Sequence, residues 1–160
     1  MQSVSHDVFL AVWELNVRYA AALDGRDFAG WPALFTQDGS YRILSAENIR
    51  RGRELPILNY THPGMMRDRM IVLKEAAVFT QAAERRTFSN LSISPLESGA
   101  YRSSANFVVY RTDIVDGTTS LFVVGQYQDE VIVADQGALL RARTAVVDTF
   151  SIPNHIGLPI

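Results

Sequence analysis

The 160-residue chain has no cysteine. That absence excludes a thiol nucleophile, a thiolate zinc site and a self-contained iron–sulfur centre. It also excludes disulfides. Met1 to Asp7 carries no Lys or Arg of a secretory leader, and with the lack of cysteine this gives a cytoplasmic address as the expectation. Long apolar runs are missing too. The run from Val8 breaks at Glu14, well short of the roughly 20 apolar residues that cross a membrane. Lysine is almost absent, at 1 against 14 arginines, and the net charge of −2 argues against a nucleic-acid partner. The three histidines, His6, His62 and His155, have no i, i+3 or i, i+4 spacing. A facial iron site needs two histidines and a carboxylate that converge, and these spacings do not suggest one.

What charge there is lies unevenly. Arg42 to Arg86 holds nine basic residues against five acidic ones, whereas the rest of the chain is acidic by six charges. Arginine is favoured at protein interfaces, where its planar fork reaches carboxylates and carbonyls. Coding bias alone also produces such a composition.

No repeat, low-complexity tract or linker divides residues 1–160, so one domain is expected. Ser5 to Leu23 reads as a helix, capped by Ser3 or Ser5 and stopped at Gly25, with Phe9, Trp13, Val17 and Ala20 on its inward face and Leu10 and Leu23 beside them. Asp27 is positioned to cap a short helix over Phe28–Phe35, with Trp31 and Leu34 inward, although Pro32 interrupts it. A third helix is expected over Gly64–Ala76. From Arg86 the period becomes two. Turn signals at Glu97-Ser98-Gly99, Asp116-Gly117 and Asp135-Gln136-Gly137 separate strands at Thr87–Pro95, Ala100–Asp113, Thr118–Val133 and Ala138–Thr149. Strands this long twist rather than lie flat. Helices followed by a long meander imply an α+β fold, a curved antiparallel sheet wrapped around the N-terminal helices. The shape resembles the cystatin-like, nuclear-transport-factor-2-like cone, whose hollow serves catalysis in some small isomerases and dehydratases and only association in others. Fold alone does not choose between these.

Acid–base chemistry in such a cone would rest on Tyr19 of the first helix and Asp38. An isomerase-like pattern laid through Tyr19 and Leu34-Phe35 puts the base position near Ile43, which takes no proton. Asp38 falls in the turn before that strand. Asn90 and Asn106 have the character of cross-strand or intersubunit hydrogen-bonding groups. Arg141 and Arg143 share one face of the last strand, with Asp148 on the other, and Arg143 pairs with Asp129 if the register permits. Satisfied contacts within the chain explain all of these equally well.

An ordered set of motifs spans nearly the whole chain. It begins at Asp24-Gly-Arg26-Asp27-Phe28-x-x-Trp31-x-x-Leu34-Phe35-x-x-Asp38-x-x-Tyr41 and runs through Asp68-Arg69 and Arg86-x-x-Ser89-Asn90. Ser104-Ala-Asn106-Phe107-Val-Val-Tyr110-Arg111, Gly125-x-Tyr127-x-Asp129 and Arg141-x-Arg143-x-Ala-x-x-Asp148 complete it. The set resembles the small (beta) subunits of bacterial aromatic-ring-hydroxylating dioxygenases. The resemblance implies a chain with no catalytic, cofactor-binding or metal-binding residues. Its large (alpha) partner would carry the Rieske iron–sulfur cluster and the mononuclear iron. The small subunits would form a trimer inside an α3β3 assembly that dihydroxylates an aromatic ring with O2 and NADH-derived electrons. Hydrocarbon-type members often have a Tyr-Trp step and a proline at the first strand, where this chain reads Tyr41-Arg42-Ile43-Leu44. Asn59 to Arg69 is more similar to subunits for aromatic carboxylates such as terephthalate, anthranilate and salicylate. The alternative is a stand-alone isomerase or dehydratase that uses Tyr19 and Asp38. The tail, residues 149–160, with Phe150, Ile152, Ile156, Leu158 and Ile160, is too apolar for a free end and is expected to pack on its own sheet or on a neighbour.

Overall fold

The computed structural model describes residues 4–75, 82–149 and 159–160. Helix α1 covers His6–Asp24. Ser5 caps it, its hydroxyl accepting from the Val8 N–H at 3.3 Å. Gly25 is not the left-handed stop that its identity suggests, because its φ is −82°. Arg26 takes that role at φ +55°, with Asp27 N–H donating to the Ala22 carbonyl (2.8 Å) and Arg26 N–H to that of Leu23 (3.1 Å). The Arg26 guanidinium is anchored to the Ala82 carbonyl at 2.8 Å, which steadies this unusual conformation.

The helix expected over Phe28–Phe35 does not form. Asp27 accepts from the Gly30 N–H (2.9 Å) to close a turn, and only a single 3-10 turn, Pro32–Leu34, follows before Phe35 becomes extended. Pro32 brings no N–H to an α-helical ladder there. Trp31 and Leu34 nevertheless point inward as expected.

Strand β1 (Phe35–Ser45) is followed by a short helix α2 (Ala46–Arg50), strand β2 (Leu58–Tyr60) and helix α3 (Pro63–Glu75). Strands β3 (Ala82–Pro95), β4 (Tyr101–Asp113), β5 (Thr119–Ala134) and β6 (Gly137–Val147) form the long meander. The sheet order is β2-β1-β6-β5-β4-β3. It is mixed rather than wholly antiparallel, because β1 runs parallel to β6 with Tyr41 opposite Arg143. Glycines at positive φ, Gly99 and Gly117, make two of the three hairpin turns named from sequence, and Gly137 at +114° makes the third. Register shifts in the β3–β4, β4–β5, β5–β6 and β1–β6 pairs bend these strands into a trough.

Helix α1 packs against β3, β5 and β6. Its inward face is Val12, Leu15, Asn16, Tyr19, Ala22 and Leu23. The expected stripe is wrong, although Leu23, placed beside it, is buried. Phe9, Leu10, Trp13 and Val17 are each about 40% exposed, and Ala20 is half-buried. The true face is rotated from the expected one by roughly 100°, one residue step of the helix. Aromatic size pointed to the wrong side, because the buried side carries Asn16 and Tyr19, whose polar atoms have partners inside.

Candidate functional site

The concave side of the sheet holds three linked groups of polar side chains in an otherwise apolar core. The first centres on Arg143. Its Nε and Nη2 donate to the two carboxylate oxygens of Asp129 at 2.9 and 2.8 Å, and Nη2 also donates to Asn16 Oδ1 at 2.7 Å. The register places Asp129 opposite Arg143, as the pairing read from sequence required. The guanidinium lies 4.1 Å from the ring centres of both Tyr19 and Tyr127. Burial pushes the Asp129 carboxyl up from its ordinary range, and the Arg143 charge works against that shift. Arg141 does not share this face. Leu140 pairs with Val131 and Ala142 with Glu130, so Arg141 is the extra residue of a bulge. It turns outward to Glu130 (3.1 Å) and Asp38 (3.6 Å).

The second group joins α1 to the β3–β4 pair. Arg86 donates to Asp24 (2.6 Å) and Glu84 (2.7 Å), and Glu84 accepts in turn from Arg111 (2.7 Å). The Arg86 backbone N–H also donates to Asp24 (2.9 Å). This N–H and the Ala82 carbonyl held by Arg26 both belong to β3, the edge strand, so side chains satisfy part of an edge open to strand pairing. Arg86 therefore serves the interior, although it belongs to the basic stretch from Arg42 to Arg86. Arg50, Arg53, Arg67 and Arg85 of that stretch are exposed.

The third group was not legible in the sequence. The Ile160 carbonyl oxygen accepts from the hydroxyls of Tyr19 (2.6 Å) and Tyr41 (3.1 Å), and the Ile160 N–H donates to Tyr41 (2.8 Å). Arg86 Nη2 donates to the Pro159 carbonyl at 2.6 Å. Burial raises the pKa of Tyr19, Tyr41 and Tyr127, so all three are held as neutral hydroxyls. Trp31, Tyr41, Phe35 and Tyr60 stack and cross edge to face around this end. Phenylalanine 150, Ile152, Ile156 and Leu158 of the expected tail fall outside the described residues.

These placements decide the isomerase alternative. Tyr19 is fully enclosed and its hydroxyl is committed to Ile160. Asp38 sits on β1 with its side chain 70% exposed, accepting from the Thr36 hydroxyl at 2.7 Å. That bond holds its carboxyl below the usual range, the opposite of what a general base near neutral pH needs. The structure does not bring the two together, and Ile43 is buried in the core. Asn106 accepts across β4–β5 from Gln126 at 3.4 Å. Asn90 instead occupies the β3 bulge at φ +54° with its side chain exposed. Among the described residues no three His, Cys, Asp or Glu side chains gather as a metal would require. With no thiolate anywhere in the sequence, the donors present do not fit a Rieske cluster. Among the described residues, no helix is long and apolar enough to cross a membrane.

A long bent open sheet packed against N-terminal helices defines the α+β, nuclear-transport-factor-2-like class of protein. Residues 18–154 match the family described as the ring hydroxylating beta subunit, and the chain belongs to that family. It is 28% identical to the small subunit of anthranilate 1,2-dioxygenase from Burkholderia cepacia, over the full length of both chains. It is also 28% identical to the terminal oxygenase component subunit beta 1 of terephthalate 1,2-dioxygenase from Comamonas sp., covering 91% of this chain and 94% of that one. A solved beta subunit of an aromatic-ring-hydroxylating dioxygenase from Novosphingobium aromaticivorans superimposes with a TM-score of 0.84 at 27% identity, covering 94% of this chain and 95% of the other.

Proposed function

We propose that the chain is the structural small subunit of a terminal oxygenase that dihydroxylates an aromatic carboxylate. Residues 1–160 act as one domain in the cytoplasm and supply no catalytic or cofactor-binding side chain. A large subunit contributes the Rieske cluster and the mononuclear iron, and a separate reductase delivers electrons from NADH. Three copies of each form an α3β3 assembly. The observation that carries this reading is the family match over residues 18–154, joined to an interior whose carboxylates and phenols are bound to the chain's own groups. The anthranilate and terephthalate relatives support an aromatic carboxylate as substrate.

The test is to express the chain alone and together with a large subunit of an aromatic-ring-hydroxylating dioxygenase. Oxygenation of anthranilate or terephthalate should require both chains, and iron should travel with the large subunit. Stoichiometric iron on this chain alone, or turnover without the large subunit, overturns the assignment. Light scattering of the complex reads the three-to-three stoichiometry.

A further inference from the structure

The trough under the sheet is not an empty hollow, because the Pro159–Ile160 segment sits in it. Ile160 is 1% exposed and packs in the main apolar cluster with Tyr19, Trp31 and Tyr41. Its backbone is recognised as a ligand would be. Tyr41 reads the N–H and the carbonyl of the same residue, Tyr19 adds a second donor to that carbonyl, and Arg86 holds the carbonyl before it. The donors come from α1, β1 and β3, elements far apart in sequence. Each is itself fixed, Tyr19 by the Arg143 guanidinium on its ring and Arg86 by Asp24 and Glu84. Trp31 Nε1 and Arg86 Nε are buried beside them without a partner among the described residues. Such a set exceeds what filling a core requires, since apolar side chains do that without buried donors.

We propose that the interior of the trough is a peptide main-chain binding site, occupied in cis by Pro159–Ile160. It selects a main chain carrying a branched aliphatic side chain. Being tethered, the segment acts at high effective concentration and keeps the site closed to other ligands. The proposal holds whether or not the chain pairs with a large subunit.

The missing cysteines make the test clean. In the full chain, Ile160→Cys introduces one reporter thiol. Its labelling by a maleimide should be about a hundredfold slower than that of Glu97→Cys on the exposed β3–β4 turn, because it waits for local opening. Adding Tyr41→Phe should speed it by roughly tenfold, as one donor to the segment is lost. Equal labelling at the two positions overturns the proposal. Protection that vanishes on dilution assigns the site to the same segment of a neighbouring copy and overturns the cis arrangement.

A second measurement uses the chain without Pro159 and Ile160, with Trp13→Phe so that Trp31 is the sole tryptophan. A synthetic peptide of residues 149–160 should bind saturably, read by Trp31 emission. The same peptide with Ala in place of its last Ile should bind at least about tenfold more weakly. A shortened chain that keeps its circular dichroism yet binds neither peptide overturns the proposal. If shortening unfolds the chain, the labelling rates decide.

Discussion

Arg143 and Asp129 face each other across the β5–β6 pair and are joined by two parallel hydrogen bonds, with the guanidinium against the rings of both Tyr19 and Tyr127. Both side chains are almost wholly buried. Removing only one charge leaves the other stranded in a medium that solvates it poorly. Asp129→Ala should therefore cost about 3–5 kcal/mol in urea denaturation. Replacing both partners, with Arg143→Met and Asp129→Leu, should recover a large part of that loss. A double variant no more stable than Asp129→Ala alone would show that Arg143 acts through Asn16 and the tyrosine rings instead.

The buried tyrosines set an alkaline limit. Burial raises the pKa of Tyr19, Tyr41 and Tyr127 in the folded chain above the value near 10 of an unfolded tyrosine. The folded state therefore keeps three phenolic protons that the unfolded state gives up once the pH passes about 10. Stability is fully present below that pH and falls as it rises toward the folded pKa values. Absorbance of tyrosinate near the alkaline edge should show these three ionising only together with cooperative unfolding. Early, non-cooperative ionisation of all six tyrosines, with near-UV circular dichroism intact, would contradict it.

The rotated face of α1 has a direct consequence for stability. Leu15→Ala removes a fully buried side chain and should cost about 2–5 kcal/mol. Phe9→Ser or Leu10→Gln, on the side that apolar periodicity favours, should change the stability of the isolated chain by only about 0.5 kcal/mol. Thermal unfolding of these three variants distinguishes the two faces. A large loss at Phe9 would restore the sequence-based orientation.

That helix also shows what one-dimensional reading misses. The last three strand spans, the hairpin turns and the Arg143–Asp129 pair follow from period-two alternation and turn chemistry, which are local, whereas β3 already begins at Ala82, ahead of the expected Thr87. The orientation of α1 depends on Asn16 finding Arg143, 127 residues away. No hydropathy pattern marks an asparagine as interior. The parallel docking of β1 on β6 and the seat of Ile160 between Tyr19 and Tyr41 are likewise products of chain closure. Bulges hide from alternation as well. One extra residue at Arg141 sends it outward and Arg143 inward, although their spacing places them on one face.

Asp38 and Tyr19 offer the sharpest test of a structural subunit against an acid–base enzyme. Asp38 is exposed, tied to Thr36 and near Arg141, so Asp38→Asn removes one surface ion pair and little else. In the oxygenase assembled with its large subunit, this variant should keep the parent kcat and KM. Tyr19→Phe deletes a buried donor to Ile160 while keeping the ring against Arg143. It should lower the thermal stability of the small subunit by about 1–3 kcal/mol with kcat per intact complex unchanged. An acid–base pair predicts the reverse, with kcat falling by orders of magnitude in both variants and stability nearly untouched. Measuring melting and turnover on the same preparations separates the two, because a structural donor moves the first and a catalytic one the second.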